Sequence, residues 1–176
     1  ETGAVELYYD DVKTFETVPN GVKIVGSEGN YSYLYMHSDE GDDDDDKWRI
    51  EVGNSGAWKL ANFAGGGWEN NIVCNGNGDT ELFHNGNKKL ETYSGGINVT
   101  GYVNLTDSQH LRLGTGNDLQ AWHDGTNSFL TNSTGAFLQR ADDIRLQNAA
   151  GSEVMLDAAA NGAVKLYYDN SLKLST

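Results

Sequence analysis

Residues 78–101, GDTELFHNGNKKLETYSGGINVTG, align without a gap with residues 3–26, GAVELYYDDVKTFETVPNGVKIVG. Residues 162–176, GAVKLYYDNSLKLST, match the first fifteen positions of the same unit. Residues 117–139 fit the unit as a degenerate fourth copy. Self-similarity of this kind is the signature of a repeat architecture, so the repeat decides how the rest of the chain is interpreted.

Each copy has the pattern of a β-hairpin. Apolar and polar side chains alternate in residues 5–9, and a polar turn follows at residues 10–11, 85–87, 124–125 or 169–171. Asp-Gly and Asn-Gly between alternating strands are strong hairpin signals. A second turn, at residues 19–21 in the first copy, leads into one more short strand. One such unit buries little apolar surface, so we expect it to pack on neighbouring units or on other chains.

Two segments separate the copies. In the first, Trp48, Trp58 and Trp68 recur at ten-residue spacing between glycine turns, which predicts an antiparallel meander of about four strands. The second carries further short alternating stretches. We therefore predict these divisions: hairpin repeats 1–26 and 78–101, a Trp-rich β insert with an acidic loop at 27–77, a β-rich segment 102–161 that includes copy 117–139, and a partial repeat 162–176. Because the chain starts and stops out of phase with its repeat, we expect it to be a segment of a longer polypeptide.

Composition excludes several classes of function. The net charge is −14 over 176 residues, which disfavours nucleic acid as a partner because phosphate groups would be repelled. No apolar run approaches the ~18 residues that a membrane helix needs, so no membrane insertion is expected. Serine, histidine and aspartate are scattered without a nucleophile motif, and the abundant carboxylates single out no pair. We expect no catalytic residues.

Cys74 is the single cysteine, so no disulfide can form within the chain. Its two interpretations are a small buried hydrophobe on a strand, which we favour, and a reactive thiol. Stability must therefore come from elsewhere, and chain–chain association is the expected source.

The run DEGDDDDD at residues 39–46 is the sharpest chemical feature. Calcium needs several oxygen ligands, and a carboxylate-dense turn supplies them. The candidate ligands are Asp39, Glu40, Asp42, Asp44 and Asp46. The glycine and glutamate positions of an EF-hand loop are missing, and a solvated acidic loop is the alternative.

Aromatic residues give a second candidate site. Trp48, Trp58 and Trp68, with Tyr31, Tyr33 and Tyr35, could form a glycan-stacking platform because their rings offer flat apolar faces with polar groups. The competing interpretation, which we favour, places the tryptophans in the core of the meander. The four histidines could suggest a metal cluster, but two of them replace a repeated tyrosine and are interpreted as structural; the four are His37, His84, His110 and His123.

The repeat units resemble a module of tail-fibre and appendage proteins of marine bacteriophages. The segments that carry the resemblance are LYYDDVKTFET, ELFHNGNKKLETYSGGINVTG and KLYYDNSLKLST. DEGDDDDDKWRIEV and LRLGTGNDLQAWHDGTNSFL are similar to further elements of the same proteins. The resemblance implies a parallel homotrimer carried on a virion, in a class of fibres that bind host-surface glycans or proteins. No counterpart of a terminal auto-cleaving chaperone domain or of a receptor tip is found, which favours a shaft, or a shaft with an inserted knob, over the adhesive end.

The sequence thus predicts an all-β chain whose repeated hairpins form an elongated, trimeric fibre with an inserted antiparallel β module. Its predicted function is that of a non-enzymatic structural segment of a phage tail fibre in host attachment, located on the virion or outside the cell, with no cofactor apart from the candidate calcium. The first alternative is an extracellular adhesin or environmental fibril of non-viral origin. The second is a polysaccharide-depolymerising fibre, which would need a long β-helix with clustered acids in a groove.

Overall fold

The computed structural model describes residues 3–176, and 53% of the chain is β-strand. No α-helix occurs in these residues, so the predicted all-β class is confirmed. No helix within them is long and apolar enough to span a membrane. The strands are β1 (Glu6–Tyr9), β2 (Val12–Val18), β3 (Gly21–Ile24), β4 (Ser32–His37), β5 (Lys47–Val52), β6 (Trp58–Ala64), β7 (Gly67–Cys74), β8 (Thr80–His84), β9 (Asn87–Tyr93), β10 (Gly96–Val99), β11 (His110–Leu113), β12 (Leu119–His123), β13 (Ser128–Asn132), β14 (Asp143–Gln147), β15 (Val154–Ala159), β16 (Val164–Tyr168) and β17 (Ser171–Ser175).

These strands form four antiparallel sheets, and none of the four closes into a barrel. A first compact unit ends at Asn104 and contains the sheet β1–β3 and the seven-stranded sheet β4–β10. A second unit, Leu105–Thr176, contains the sheets β11–β13 and β14–β17. In every sheet the strands follow one another in chain order, and the longest connection within a sheet is residues 38–46, between β4 and β5. The four strands of the Trp-rich insert therefore run on into the second hairpin repeat as one sheet.

The first turn of the repeat has the same geometry in three copies. Asp10 and Asp11 have φ of 46° and 61°, and the equivalent pairs 85–86 and 169–170 also have positive φ at both residues. Two central residues with positive φ define the type I′ turn, whose twist matches that of a hairpin. A β-bulge follows at one fixed repeat position, with register shifts at Leu7/Tyr8, Leu82/Phe83 and Leu166/Tyr167.

The degenerate copy 117–139 also forms a hairpin, β12–β13, but it departs from the repeat geometry. Its turn has four residues, and His123 pairs directly with Ser128 without a bulge. The Oδ1 atom of Asp124 accepts hydrogen bonds from the backbone N–H groups of Asn127 at 2.7 Å and Thr126 at 2.8 Å. These two bonds lower the pKa of Asp124, the Asn127 bond contributing most. An aspartate-closed turn thus replaces the type I′ turn.

The chain has almost no core of its own. Among residues 3–176 the buried apolar side chains are Ala57, Ala61 and Val73. The accessible surface is 13284 Å², whereas a compact monomer of 19.1 kDa would expose about 8,400 Å². Even two separate compact domains with the lengths of the two units would expose about 10,000 Å² together. At least about 3,000 Å² of surface is therefore in excess of what compact domains leave in water.

Candidate functional site

One apolar residue per strand lines up across the seven-stranded sheet. Leu34 pairs with Ile50, and Ile50 pairs with Leu60. The same register continues across the sheet to its last strand. Directly paired residues lie on one face of a sheet. The complete set, here called the apolar row of this sheet, is Leu34, Ile50, Leu60, Ile72, Leu82, Leu90 and Val99.

The other sheets carry apolar rows of the same kind. Each row crosses every strand of its sheet through directly paired residues. The rows are Leu7, Phe15 and Ile24 in β1–β3; Leu111, Ala121 and Leu130 in β11–β13; and Leu146, Leu156, Leu166 and Leu174 in β14–β17.

These rows remain open to solvent in the single chain. Leu82 is 41% exposed, Leu146 54% and Leu174 56%. The row residues of the inner strands, such as Leu60 and Ile72, are half-buried by their neighbours within the sheet. Moving an aliphatic side chain out of water lowers its free energy. Each sheet is a single layer, so its own strands do not cover the apolar row. The rows therefore include apolar side chains that the single chain leaves in water.

The opposite face of the seven-stranded sheet is polar and charged. Its matching row begins at Tyr33 and Glu51 on β4 and β5 and ends at Glu91 and Asn98 on β9 and β10. Glu51 is 2% exposed and is held by two cations. Its carboxylate lies 2.7 Å from Nη2 of Arg49 and accepts a hydrogen bond from Nζ of Lys59 at 2.8 Å. A buried carboxylate with two cationic partners is compensated, so this face is built to stay polar.

Aromatic rings cover the cations of this face. The Arg49 guanidinium lies 4.9 Å from the Tyr33 ring centroid and 4.4 Å from that of Trp68. Tyr33 stacks on Tyr35 with ring centroids 5.4 Å apart. Burial raises the pKa of Tyr33, and the nearby Glu51 carboxylate adds to the effect. The result is an aromatic–cation cluster on the face that lies opposite the apolar row.

The structure does not bring the three tryptophans of the candidate glycan platform together. Trp48 pairs with Asn62, and Trp58 pairs with Val52, which places both on the face of the apolar row. Trp68 pairs with Phe63 and contacts Tyr35 on the other face. Trp48 and Trp58 are 38% and 36% exposed, so neither is a core residue in the single chain.

Tyrosines instead line a groove within the first unit. It has a volume of about 610 Å³ and lies between the first hairpin and strand β4. Tyr31, Tyr33 and Tyr35 come from the β4 side, and Tyr9 and Asp10 come from the hairpin side. Tyr9 and Asp10 were not among the predicted site residues, because they belong to a different sheet and only the fold brings them near. The volume lies in the range of ligand-binding clefts, and phenol hydroxyls beside a carboxylate suit a polyhydroxylated ligand.

The acidic turn gathers only part of the predicted calcium set. Carboxylate oxygens of Asp42, Asp43 and Asp46 lie within 4.8 Å of one another. Asp44 instead faces Nζ of Lys47 at 3.6 Å and accepts a hydrogen bond from the backbone N–H of Gly66 at 3.3 Å.

Asp39 and Glu40, the other two predicted calcium ligands, lie in a 3₁₀ turn with φ of 40° and 64°. Neither belongs to the group of three carboxylates. Asp43 replaces them as a possible ligand, although the sequence did not single it out. Three carboxylates this close repel one another, and a hard cation would offset that repulsion.

The remaining candidates, the four histidines and Cys74, all lie on strands of the described chain. His84 pairs with Asn87 as Tyr9 pairs with Val12, which places it in the tyrosine position of the repeat. His110 stacks on Trp122 with centroids 4.5 Å apart. Within residues 3–176 no histidine joins a metal-holding group of three or more side chains. Cys74 lies on β7 but is half-buried rather than buried, because its face of the sheet lacks a covering layer.

The fold and its faces define an all-β repeat protein of open, two-faced sheets. No protein-family model, curated protein or solved structure matches the chain.

Proposed function

We propose that this chain is a structural segment of an extracellular fibre built by self-association, of the kind that forms the shaft of a phage tail fibre. The observation that carries the proposal is the small core: among residues 3–176 three small or medium apolar side chains are buried, while at least about 3,000 Å² of surface is in excess. Obligate interfaces between subunits bury amounts of this order. Association with further copies would supply the burial that the single chain lacks.

The repeats support the same proposal. A chain made of hairpins in sequence order can be lengthened by adding copies, which suits a protein whose role is mechanical reach. The resemblance of these hairpins to marine phage fibre modules specifies a homotrimer on a virion, serving host attachment. A non-viral adhesin or fibril would use the same physics, so the distinction rests on the resemblance alone. The proposed role is non-enzymatic.

The test is the native mass of the purified chain. Size-exclusion chromatography with light scattering is expected to give three times the chain mass, and the species is expected to resist dissociation on heating. A folded monomer across the accessible concentration range would overturn the proposal. An oligomer with another number of chains would be consistent with the proposed self-association but would contradict the trimer.

The groove at Tyr31, Tyr33 and Tyr35 favours a second candidate function, which is binding of a host-surface glycan. Saccharides of neutral and acidic classes would be titrated while the protein's tyrosine and tryptophan fluorescence is recorded. Tyr35→Ala is expected to abolish any response, whereas Tyr93→Ala, an exposed tyrosine outside the groove, is expected to leave it unchanged. An equal loss in both variants, or no response in the unaltered chain, would reject this candidate.

A further inference from the structure

We propose that the apolar rows are the surfaces through which copies of this chain pack on one another, row against row, while the charged faces remain in water. The inference rests on the proposed self-association and assigns it to one face of each sheet. Three observations carry it: the charge of the two faces, the recurrence of the rows and the exposure of their residues.

Charge separates the two faces along the apolar row and the row beside it, while Glu69, paired with Asn62, is a carboxylate elsewhere on the same face. With a net charge of −14, two copies repel each other, and this repulsion is smallest when the contact surfaces themselves carry no charge. None of the seven residues in the row of β4–β10 is ionisable. The adjacent row on the same face begins with Ser32, Val52 and Trp58 and is also uncharged, with further members Cys74, Thr80, Thr92 and Ile97. The face that carries Glu51, Glu81 and Glu91 holds these carboxylates in ion pairs, and a contact through it would have to remove the water from those charges.

Recurrence of the rows points to a second copy as the occupant. Aliphatic rows cross the sheets of both units, and their residues are spaced one strand apart, about 4.8 Å. Another copy carries the same rows with the same spacing, so its side chains match without any separate partner surface. A different protein would have to present an uncharged apolar row to each sheet that it covers.

The last hairpin offers a matched pair of test positions. Leu174 and Ser175 are neighbours on β17, and both are exposed in the single chain. Leu174 belongs to the apolar row and pairs with Leu166, whereas Ser175 pairs with Lys165 on the opposite face. Ser175 also occupies the repeat position at which the other copies have Glu16 and Glu91. Leu174→Glu and Ser175→Glu therefore add the same charge at adjacent positions on opposite faces.

Native mass as a function of concentration provides the first measurement. Leu174→Glu is expected to raise the concentration needed for assembly at least tenfold, and Ser175→Glu is expected to leave it unchanged. Circular dichroism checks that both variants keep their strands. If both assemble like the unaltered chain, the row is not the contact surface, although the proposed fibre survives. If the unaltered chain is itself a monomer, the proposed function fails first.

Thiol protection provides a second measurement that does not require assembly to be disrupted. In a Cys74→Ser background, Leu174→Cys and Ser175→Cys would be reacted with a thiol reagent such as Ellman's reagent. The Leu174→Cys thiol is expected to react at least tenfold more slowly in the native assembly, and the two rates are expected to converge in guanidinium chloride. Equal native rates would overturn the inference, because they would show that copies of this chain leave the row uncovered. The same result is expected if the row is a surface for a different protein.

Discussion

The hydroxyl oxygen of Thr92 accepts a hydrogen bond from the backbone N–H of Thr80 at 2.9 Å, which ties the end of β9 to the start of β8. The same bond joins Thr17 to Val5 at 2.8 Å and Thr176 to Val164 at 3.1 Å. One side chain thus closes the hairpin in each of the three well-formed copies. It satisfies a strand-end donor that would otherwise depend on water.

Removing this hydroxyl is expected to weaken the hairpin. Thr92→Val keeps the side-chain shape but loses the bond, and it leaves a part-buried N–H without its partner. The free energy of unfolding is expected to fall by about 1 kcal/mol. Denaturant unfolding at fixed chain concentration measures the change. Thr92→Ser keeps the hydroxyl and is the control. An equal loss in both variants would contradict the assignment to this hydrogen bond, because only Thr92→Val removes it.

The type I′ turns allow a reciprocal exchange between repeats. Asp11 has φ of 61° without the freedom of glycine, whereas its counterpart Gly86 has φ of 68°. Asp11→Gly removes the strain of a left-handed residue and is expected to stabilise the chain by about 1 kcal/mol, and Gly86→Asp is expected to destabilise it by about as much. Thermal unfolding of both variants checks the signs. A shift in the same direction for both would contradict this account.

Glutamate–lysine contacts recur on the charged face and predict a dependence on pH. Nζ of Lys88 contacts the carboxylates of Glu91 and Glu81. The Lys88 bond lowers the pKa of Glu91, with a smaller effect from Asn98, and the Glu91 and Glu81 bonds raise the pKa of Lys88. Because the pKa of Glu91 is lowered by folding, its contacts stabilise the fold fully at pH values above its ordinary pKa of 4.5. This stabilisation is lost as the pH falls through the pKa of the folded state. Because the pKa of Lys88 is raised by folding, its contacts stabilise the fold fully at pH values below its ordinary pKa of 10.5. This stabilisation is lost as the pH rises through the pKa of the folded state.

Lys88→Met is therefore expected to lower the melting temperature between about pH 5 and pH 10 and to have little effect near pH 3. Lys89→Met removes the same charge from the next residue, which makes no salt bridge within the described chain, and is expected to change stability less at every pH. Melting curves across this range test the claim. A constant difference between Lys88→Met and the unaltered chain would show that the contacts act through packing rather than charge.

Much of the fold could be predicted because its signals are local. Asn85-Gly86 specifies a type I′ turn from two adjacent residues, and alternation on either side specifies the strands. The position of Trp68 could not be predicted in this way. Leu60 pairs with Ile72 but Ala61 pairs with Asn70, so Asn71 is an extra residue in β7. That bulge reverses the alternation and moves Trp68 to the face opposite Trp58.

The candidate sites show the same limit. The tyrosine groove needs Tyr9 and Tyr35, which lie in different sheets, so no spacing along the chain indicates their proximity. In the acidic turn, the sequence alone does not indicate which of the eight neighbouring residues 39–46 have carboxylates close enough to share a metal ion. The backbone N–H of Gly66, twenty-two residues away in sequence, engages Asp44 and leaves Asp43 with the group of three carboxylates.

Asp43 allows the acidic turn to be tested against the solvated-loop interpretation. Its carboxylate lies within 4.8 Å of two others, whereas Asp45 in the same turn is outside the group. In a chelator, Asp43→Asn is expected to raise the melting temperature more than Asp45→Asn, because it removes the closer repulsion. Millimolar calcium is expected to stabilise the unaltered chain and Asp45→Asn alike, and to stabilise Asp43→Asn less.

The pattern across the three proteins separates the possible outcomes. Calcium that stabilises all three equally acts elsewhere in the chain. Calcium that stabilises none of them identifies the turn as a solvated acidic loop, because bound metal must favour the folded state by mass action. Sodium chloride at matched ionic strength is the control for screening, since screening weakens carboxylate repulsion without needing a ligand geometry. Only a calcium effect that depends on Asp43 and exceeds this control supports a metal site.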